Sequence, residues 1–236
     1  MPPPTGLAAR AFERAMSLNL ENIGSALAAA TPRTLLDVGC DDGDRTIELA
    51  RRAGASEVFG VEAVAERAEA ARRRGIEVVV TDLTTGLPYA ESTFDAVVSN
   101  QVIEHLHDTD SFVSECARVV RPGGVVVTST ENLASWHNLV ALLCGWQPFS
   151  LTNVSRVTSG LGNPLALYRG LPHTQPETWQ HIRVFAYRAL RELFEAHGLV
   201  VESILGAGYY PLPAAVGLRD PRHAAFITAI ARRPSV

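Results

Sequence analysis

The chain has 236 residues, 47% of them hydrophobic, enough to bury one substantial core, so a single domain over residues 1–236 is expected. A net charge of −4 with a pI near 6.0 offers a phosphate backbone no overall attraction, and no nucleic-acid partner is expected. Cys40, Cys116 and Cys144 make an odd count without CxxC spacing, which suggests neither a disulfide framework nor a thiolate zinc site and fits a reduced cytoplasm.

The opening stretch MPPPTGLAARAFERAM lacks an apolar signal core, so no export signal is expected. Residues 10–30 carry Phe12, Met16, Leu20, Ile23 and Leu27 at helical spacing until Pro32 stops the pattern, predicting a leading helix over the first 31 residues. The run at 34–38 ends in Gly39-Cys-Asp-Asp-Gly43 and is followed by a helical stretch at 44–53, which reads as strand, glycine loop, helix. The cycle continues with a strand at 58–61, a helix at 63–74, strands at 77–81 and 96–99, a helix at 111–120 and a strand at 125–129. Alternating strands and helices predict a mainly parallel sheet with helices on both faces.

After Glu131 the pattern breaks. Residues 132–180 mix an apolar helix at 136–144 with a run rich in Gly, Pro, Asn, Ser and Thr, and are read as an insertion or lid. The apolar run at 139–144 is far too short to cross a bilayer, so no membrane span is expected. A helix at 186–197, a strand at 199–205, a loop at 211–221 and a last strand at 224–231 complete the chain.

Gly39 and Gly43 let a nucleotide-like ligand approach the backbone closely at the end of the first strand. Such ligands lie at the carboxyl ends of parallel strands. Glu62 follows the second strand, placed to accept ribose hydroxyls, and Asp82 closes the third. Loop, acid at about twenty residues' distance and third acid together are far more specific than a lone glycine loop.

LLDVGCDDGDRT, with GVEAV, TDLTTGLP, FDAVVSNQVIEHL and RVVRPGGVVVTSTEN, resembles in order the motifs of class I S-adenosylmethionine-dependent methyltransferases. The resemblance covers residues 35–132 and is closest to a bacterial small-molecule group that includes quinone-biosynthesis enzymes. It implies a Rossmann-like α/β fold with a seven-stranded sheet and an insertion after the fifth strand, S-adenosyl-L-methionine as cofactor, and methyl transfer to an O, less readily N or C, of a small-molecule acceptor. It also implies a cofactor site in which Asp37 and Gly39 face the methionine part, Glu62 the ribose, Asp82 with Leu83 the adenine, and Asn100 with Gln101 the sulfonium, with Cys40, Asp41, Gly43 and Ala63 completing the contact. Asp41 replaces the family's middle glycine, and Asp tolerates left-handed backbone better than most residues.

A dinucleotide dehydrogenase would need G-x-G-x-x-G, but positions 41 and 44 are Asp. Asp41, Asp42 and Asp44 would repel a pyrophosphate while suiting a cationic sulfonium. A nucleic-acid methyltransferase would carry Asn/Asp-Pro-Pro-aromatic where Ser99-Asn-Gln-Val stands. A non-catalytic interaction module would have no chemical need for Glu62 and Asp82 together.

Methyl transfer is an in-line displacement helped by orientation and by removal of a proton from the acceptor. His105, after the fourth strand, is the first candidate base, with Glu104 beside it and His181 as a second site-facing histidine. If the turn is helical, Gln101, Glu104 and His105 share a face, similar to the Glu-x-x-Glu-His metal motif of some O-methyltransferases. Gln101 replaces the first acid, and metal-independent chemistry is expected. His137, His173, Trp136, Trp146, Trp179, Tyr168 and Phe149 suggest that the insertion closes over an acceptor. Arg183 meets an acidic acceptor group or pairs with Glu177. The face Phe12-Met16-Leu20 serves as a lid or as the contact of a possible homodimer.

Overall fold

The computed structural model describes residues 6–167, 169–171 and 180–235. Along them run α1 (Leu7–Ala30), β1 (Thr34–Val38), α2 (Asp44–Ala53), β2 (Glu57–Glu62), α3 (Ala65–Arg73), β3 (Glu77–Val80), β4 (Phe94–Asn100), α4 (Thr109–Val119), β5 (Val120–Glu131), α5 (Trp136–Leu143), α6 (Tyr187–Ala196), β6 (Val200–Ala207) and β7 (Phe226–Arg232). The strands form one seven-stranded sheet in the order β3-β2-β1-β4-β5-β7-β6. β7 alone runs antiparallel to its neighbours, which is the expected mainly parallel sheet.

Burial on both faces explains the nearly continuous apolar strands. Leu35, Ala96, Val98, Val125 and Val127 pack under Ile23 and Leu27 of α1 and Leu49 of α2. Leu36, Val97 and Val126 face Phe112 and Cys116 of α4 and Leu190 and Phe194 of α6 on the other side.

β5 begins five residues earlier than its sequence suggests, because Pro122-Gly123-Gly124 reads as a turn while its backbone stays paired. Phe94 stands opposite Val120, and Gly123 N donates to Arg233 O at 2.8 Å. The expected loop at 211–221 contains a short 3-10 helix, Ala214–Leu218. The face Phe12-Met16-Leu20 is partly covered from within: Phe12 and Met16 pack on a cluster with Ala207 and Phe226, and Leu20 packs on the core beneath α1. No helix among the described residues is long and apolar enough to cross a membrane.

Candidate active site

The parallel strands end together at Val38, Glu62, Val80, Asn100 and Glu131, and the loops leaving this edge carry the expected site residues. Gly39 has φ 85° and Gly43 φ 83°, backbone that L-residues with a Cβ rarely adopt. A Cβ on Gly39 would collide with the Val102 side chain, and one on Gly43 with Ile76 and Ala71. Asp41 takes φ 51°, the left-handed conformation expected of the residue in the middle glycine's place. Its carboxylate pairs with Arg67 at 2.8 Å.

Glu62 is held by two backbone donors, Asp41 N at 3.0 Å and Val64 N at 2.8 Å, one on each carboxylate oxygen. A carboxylate has about four acceptor positions, so one on each oxygen remains for a diol. The exposed Ala63 lies between Glu62 and Val64. Asp82 Oδ1 caps the turn at Leu83 by accepting from Thr84 N at 2.9 Å. Asp37 is turned inward: it is 6% exposed and accepts from Thr46 Oγ1 at 2.6 Å, which braces the loop against α2. Burial, with the nearby charges of Glu62 and Asp41, pushes its carboxyl up to about 6. Cys40 is buried beneath the loop, and its thiol is likewise raised by burial and by Asp37.

Asn100 is tied to α1, a link sequence reasoning missed. Asn19 is fully buried. It donates to Asn100 Oδ1 at 3.1 Å and accepts from Ser129 Oγ at 2.7 Å and Thr228 Oγ1 at 2.9 Å. The leading helix therefore closes over the ends of β4, β5 and β7. A lone Asn in an amphipathic helix carries a weak signal, but its place on the apolar face, one residue before Leu20, was the available one.

Gln101 does not share a helical face with Glu104 and His105. It has φ 58°, and its amide turns toward Ser129 Oγ at 3.4 Å; only Ile103–His105 form a 3-10 turn. The third partner comes from far along the chain. Ile182 N and Arg183 N donate to Glu104 O at 2.7 and 3.1 Å, which brings His181 against His105 with ring centroids 4.9 Å apart. Ligand atoms of Glu104, His105 and His181 all lie within 4.8 Å of one another.

His105 Nδ1 lies 3.0 Å from Gln180 O, and His181 Nδ1 lies 2.8 Å from Ser150 O. A carbonyl only accepts, so each Nδ1 carries a proton, and in the neutral ring Nε2 is the acceptor. Burial lowers the His105 pKa, and His181 lowers it further, against the Gln180 hydrogen bond, which raises it. Glu104 is fully buried; its Oε2 accepts from Thr130 Oγ1 at 2.9 Å, and its Oε1 has no partner among the described residues. Burial pushes this carboxyl up to about 7, while His181 pulls it down.

Of the insertion's aromatics, Trp136, His137, Trp146 and Phe149 line a cavity of about 480 Å³ together with Tyr209 and Tyr210, which follow β6. Tyr168, His173, Glu177 and Trp179 lie outside the described residues. Arg183 is exposed.

A methyltransferase-domain family matches residues 36–128. The mitochondrial ubiquinone biosynthesis O-methyltransferase of Homo sapiens is 29% identical over 186 residues, covering 75% of this chain and 44% of that protein. The ubiquinone biosynthesis O-methyltransferase of Rhizobium johnstonii is 30% identical over 183 residues, covering 75% and 64%. The chain thus spans about half of the first relative's length and under two thirds of the second's. Geranyl diphosphate C-methyltransferase from Streptomyces coelicolor, solved with S-adenosyl-L-homocysteine, superposes with a TM-score of 0.58 over 92% of this chain and 79% of that one. At 18% identity the likeness is one of fold.

Proposed function

Since this chain carries a class I S-adenosylmethionine-dependent methyltransferase domain, we propose that the whole protein transfers a methyl group to an oxygen of a small molecule. The observation that carries the reading is the meeting of two features at one sheet edge. The loop at 39–43 is bound to Glu62 and packs against Val102, and the turn after β4 that carries Val102 goes on to Glu104 and His105, which meet His181. The residues fit the cofactor: Gly39 admits close backbone approach and Glu62 keeps free acceptor positions for a diol, while Asp41 is paired with Arg67, and Asp42 and Asp44 with Arg74.

Bound there, S-adenosyl-L-methionine supplies an electrophilic methyl group. His105 Nε2 would accept the proton of the acceptor's hydroxyl, with S-adenosyl-L-homocysteine the product released. Glu104 holds the 180–183 segment, and with it His181, through its backbone carbonyl. Asn100 and Gln101 orient the methionine end, while Asp82 with Leu83 flank the base. The described part of the insertion, α5 and the segment that follows it to residue 167, would cover the acceptor side of a single domain. The acidic net charge favours a small acceptor over nucleic acid.

Calorimetric titration with S-adenosylhomocysteine, repeated with Glu62→Ala, tests the reading. Micromolar binding that the substitution abolishes is expected; a folded wild type that does not bind overturns it.

A second reading is favoured by the convergence of the three ligand atoms. One carboxylate and two imidazoles suit Zn²⁺, Mn²⁺ or Fe²⁺ better than Mg²⁺, and the unpartnered Glu104 Oε1 is a vacant donor. An ion held there would polarise the acceptor hydroxyl in place of a base. Turnover unaffected by chelator supports His105 as the base; turnover lost with chelator and restored by Mn²⁺ supports the ion.

A further inference from the structure

We propose that the cavity between α5 and residues 209–212 is the acceptor subsite and takes an uncharged aromatic ring system. The proposal rests on the methyl-transfer reading for its role and on the cavity's own chemistry for its ligand. About 480 Å³ falls within the range of small-molecule pockets, roughly 300–1,000 Å³. Two of the chain's three tryptophans and two of its five tyrosines line it, a concentration suited to offset stacking on a flat ring.

The polar tips of Trp136 and Tyr209 are engaged, whereas the buried Tyr210 hydroxyl has no partner among the described residues and is left as a free donor for a ligand oxygen. Trp136 Nε1 donates to Tyr209 Oη at 2.6 Å, and Tyr209 Oη donates to Asp220 Oδ2 at 2.6 Å. His223 Nδ1 lies 2.9 Å from the same carboxylate oxygen, and its ring lies against Trp136 with centroids 4.9 Å apart. The indole and phenol are thereby fixed before any ligand arrives, with their hydrogen-bonding capacity used among themselves. Preorganisation of this kind lowers the ordering cost of binding.

Charge selects further. Among the described residues no Asp, Glu, Lys or Arg lines the cavity, and burial lowers His137 to about 4, so it is neutral at physiological pH. The acids nearest the wall stand behind it: Asp220 on Tyr209, and Glu131, whose charge raises the Tyr210 pKa after burial itself. A carboxylate entering the cavity would lose hydration, find no cation and face a negative field.

The cavity also adjoins His181, whose ring lies 4.9 Å from that of His105, the candidate base. Phe149 lines it, and the next residue, Ser150, accepts from His181 Nδ1. Glu131 Oε2 lies 3.6 Å from the same nitrogen.

The test is calorimetry on the full chain at pH 7.5 with 2-naphthol and with 2-naphthoate, which match in ring and differ in charge. Naphthol binding at least tenfold tighter than naphthoate binding is expected. Leu165→Trp at the exposed rim and Ala141→Phe in the buried wall should each weaken naphthol binding tenfold or more while leaving S-adenosylhomocysteine affinity unchanged. Leu165 is 64% exposed, so its variant folds even if the Ala141 variant does not. Equal or tighter naphthoate binding, no naphthol binding, or naphthol binding indifferent to Leu165→Trp overturns the proposal. Failure of S-adenosylhomocysteine to bind while naphthol binds overturns the methyl-transfer reading alone.

Discussion

Asp37→Asn separates what the loop costs in stability from what it gives in binding. Asp37 is buried, and its carboxyl is moved from an ordinary 3.8 to about 6, first by burial and then by Glu62 and Asp41, against the Thr46 hydrogen bond. Below pH 3.8 both folded and unfolded chains hold the proton, and the site costs nothing. Between 3.8 and 6 the folded chain keeps a proton that the unfolded chain has released, so stability falls as pH rises; above 6 the full penalty persists. The displacement corresponds to a ceiling of roughly 3 kcal/mol. Asn still accepts from Thr46 but brings an amide N–H₂ that needs partners, which leaves a net gain of about 1–2 kcal/mol. At roughly 2–4 °C per kcal/mol for a chain of this size, thermal melts should show Tm about 2–8 °C higher for Asp37→Asn at pH 8 and slightly lower at pH 4, where most of the charge penalty is gone and the cost of the amide remains. Titration with S-adenosylhomocysteine at pH 7.5 should show at least a tenfold loss of affinity, because the ammonium loses its counter-charge. Wild-type affinity should weaken below pH 6, and the variant's should not. A variant no more stable than wild type at pH 8 removes the burial argument; a stabilised variant with unchanged affinity reduces Asp37 to a brace for Thr46.

Three other substitutions probe the same edge. Gly39→Ala places a methyl against Val102 at φ 85° and should reduce S-adenosylhomocysteine affinity more than tenfold; Gly39→Ala with Val102→Ala should recover part of it, since the collision is relieved while the backbone strain stays. Asn19→Ala orphans the Ser129 and Thr228 hydroxyls and Asn100, at a cost of roughly 3 kcal/mol, read as a Tm lower by about 6–12 °C. Glu104→Gln keeps the backbone carbonyl that holds Ile182 and Arg183 and an acceptor for Thr130 but removes the carboxylate, so turnover with an accepted substrate should change only a few-fold if His105 is the base and fall at least a hundredfold if an ion is held there, with S-adenosylhomocysteine affinity changed less than twofold in either case.

The backbone of the proposed cofactor loop was legible because its signals are local. Gly39, Asp41 and Gly43 announce their backbone conformations by residue type, and Glu62 and Asp82 sit where strands end, so short-range rules place them. The strand and helix pattern was legible for the same reason, and it failed at Pro122-Gly123-Gly124, where turn-forming residues stay in the ladder because β4 and the segment after β7 supply partners on either side.

The acceptor half depends on contacts between residues far apart in sequence, and local rules misplaced or missed several of them. Gln101, Glu104 and His105 have helical spacing, yet the left-handed turn at Gln101 sends its amide to Ser129 and leaves the place beside His105 to His181, 76 residues on. Phe12, Met16 and Leu20 read as a free face because the strand end that covers two of them, at Phe226, lies two hundred residues away. Tyr209 and Tyr210 carried no motif at all; they become part of the cavity only because Asn132, buried at the end of β5, donates to Arg222 O and Ala224 O at 2.8 Å each and draws the β6–β7 connection against α5. The loop at 39–43 can be read from residue types alone, whereas the wall that selects an acceptor follows from where β5, β6 and β7 bring their ends together, and acceptor preference can therefore change between relatives that keep the same loop.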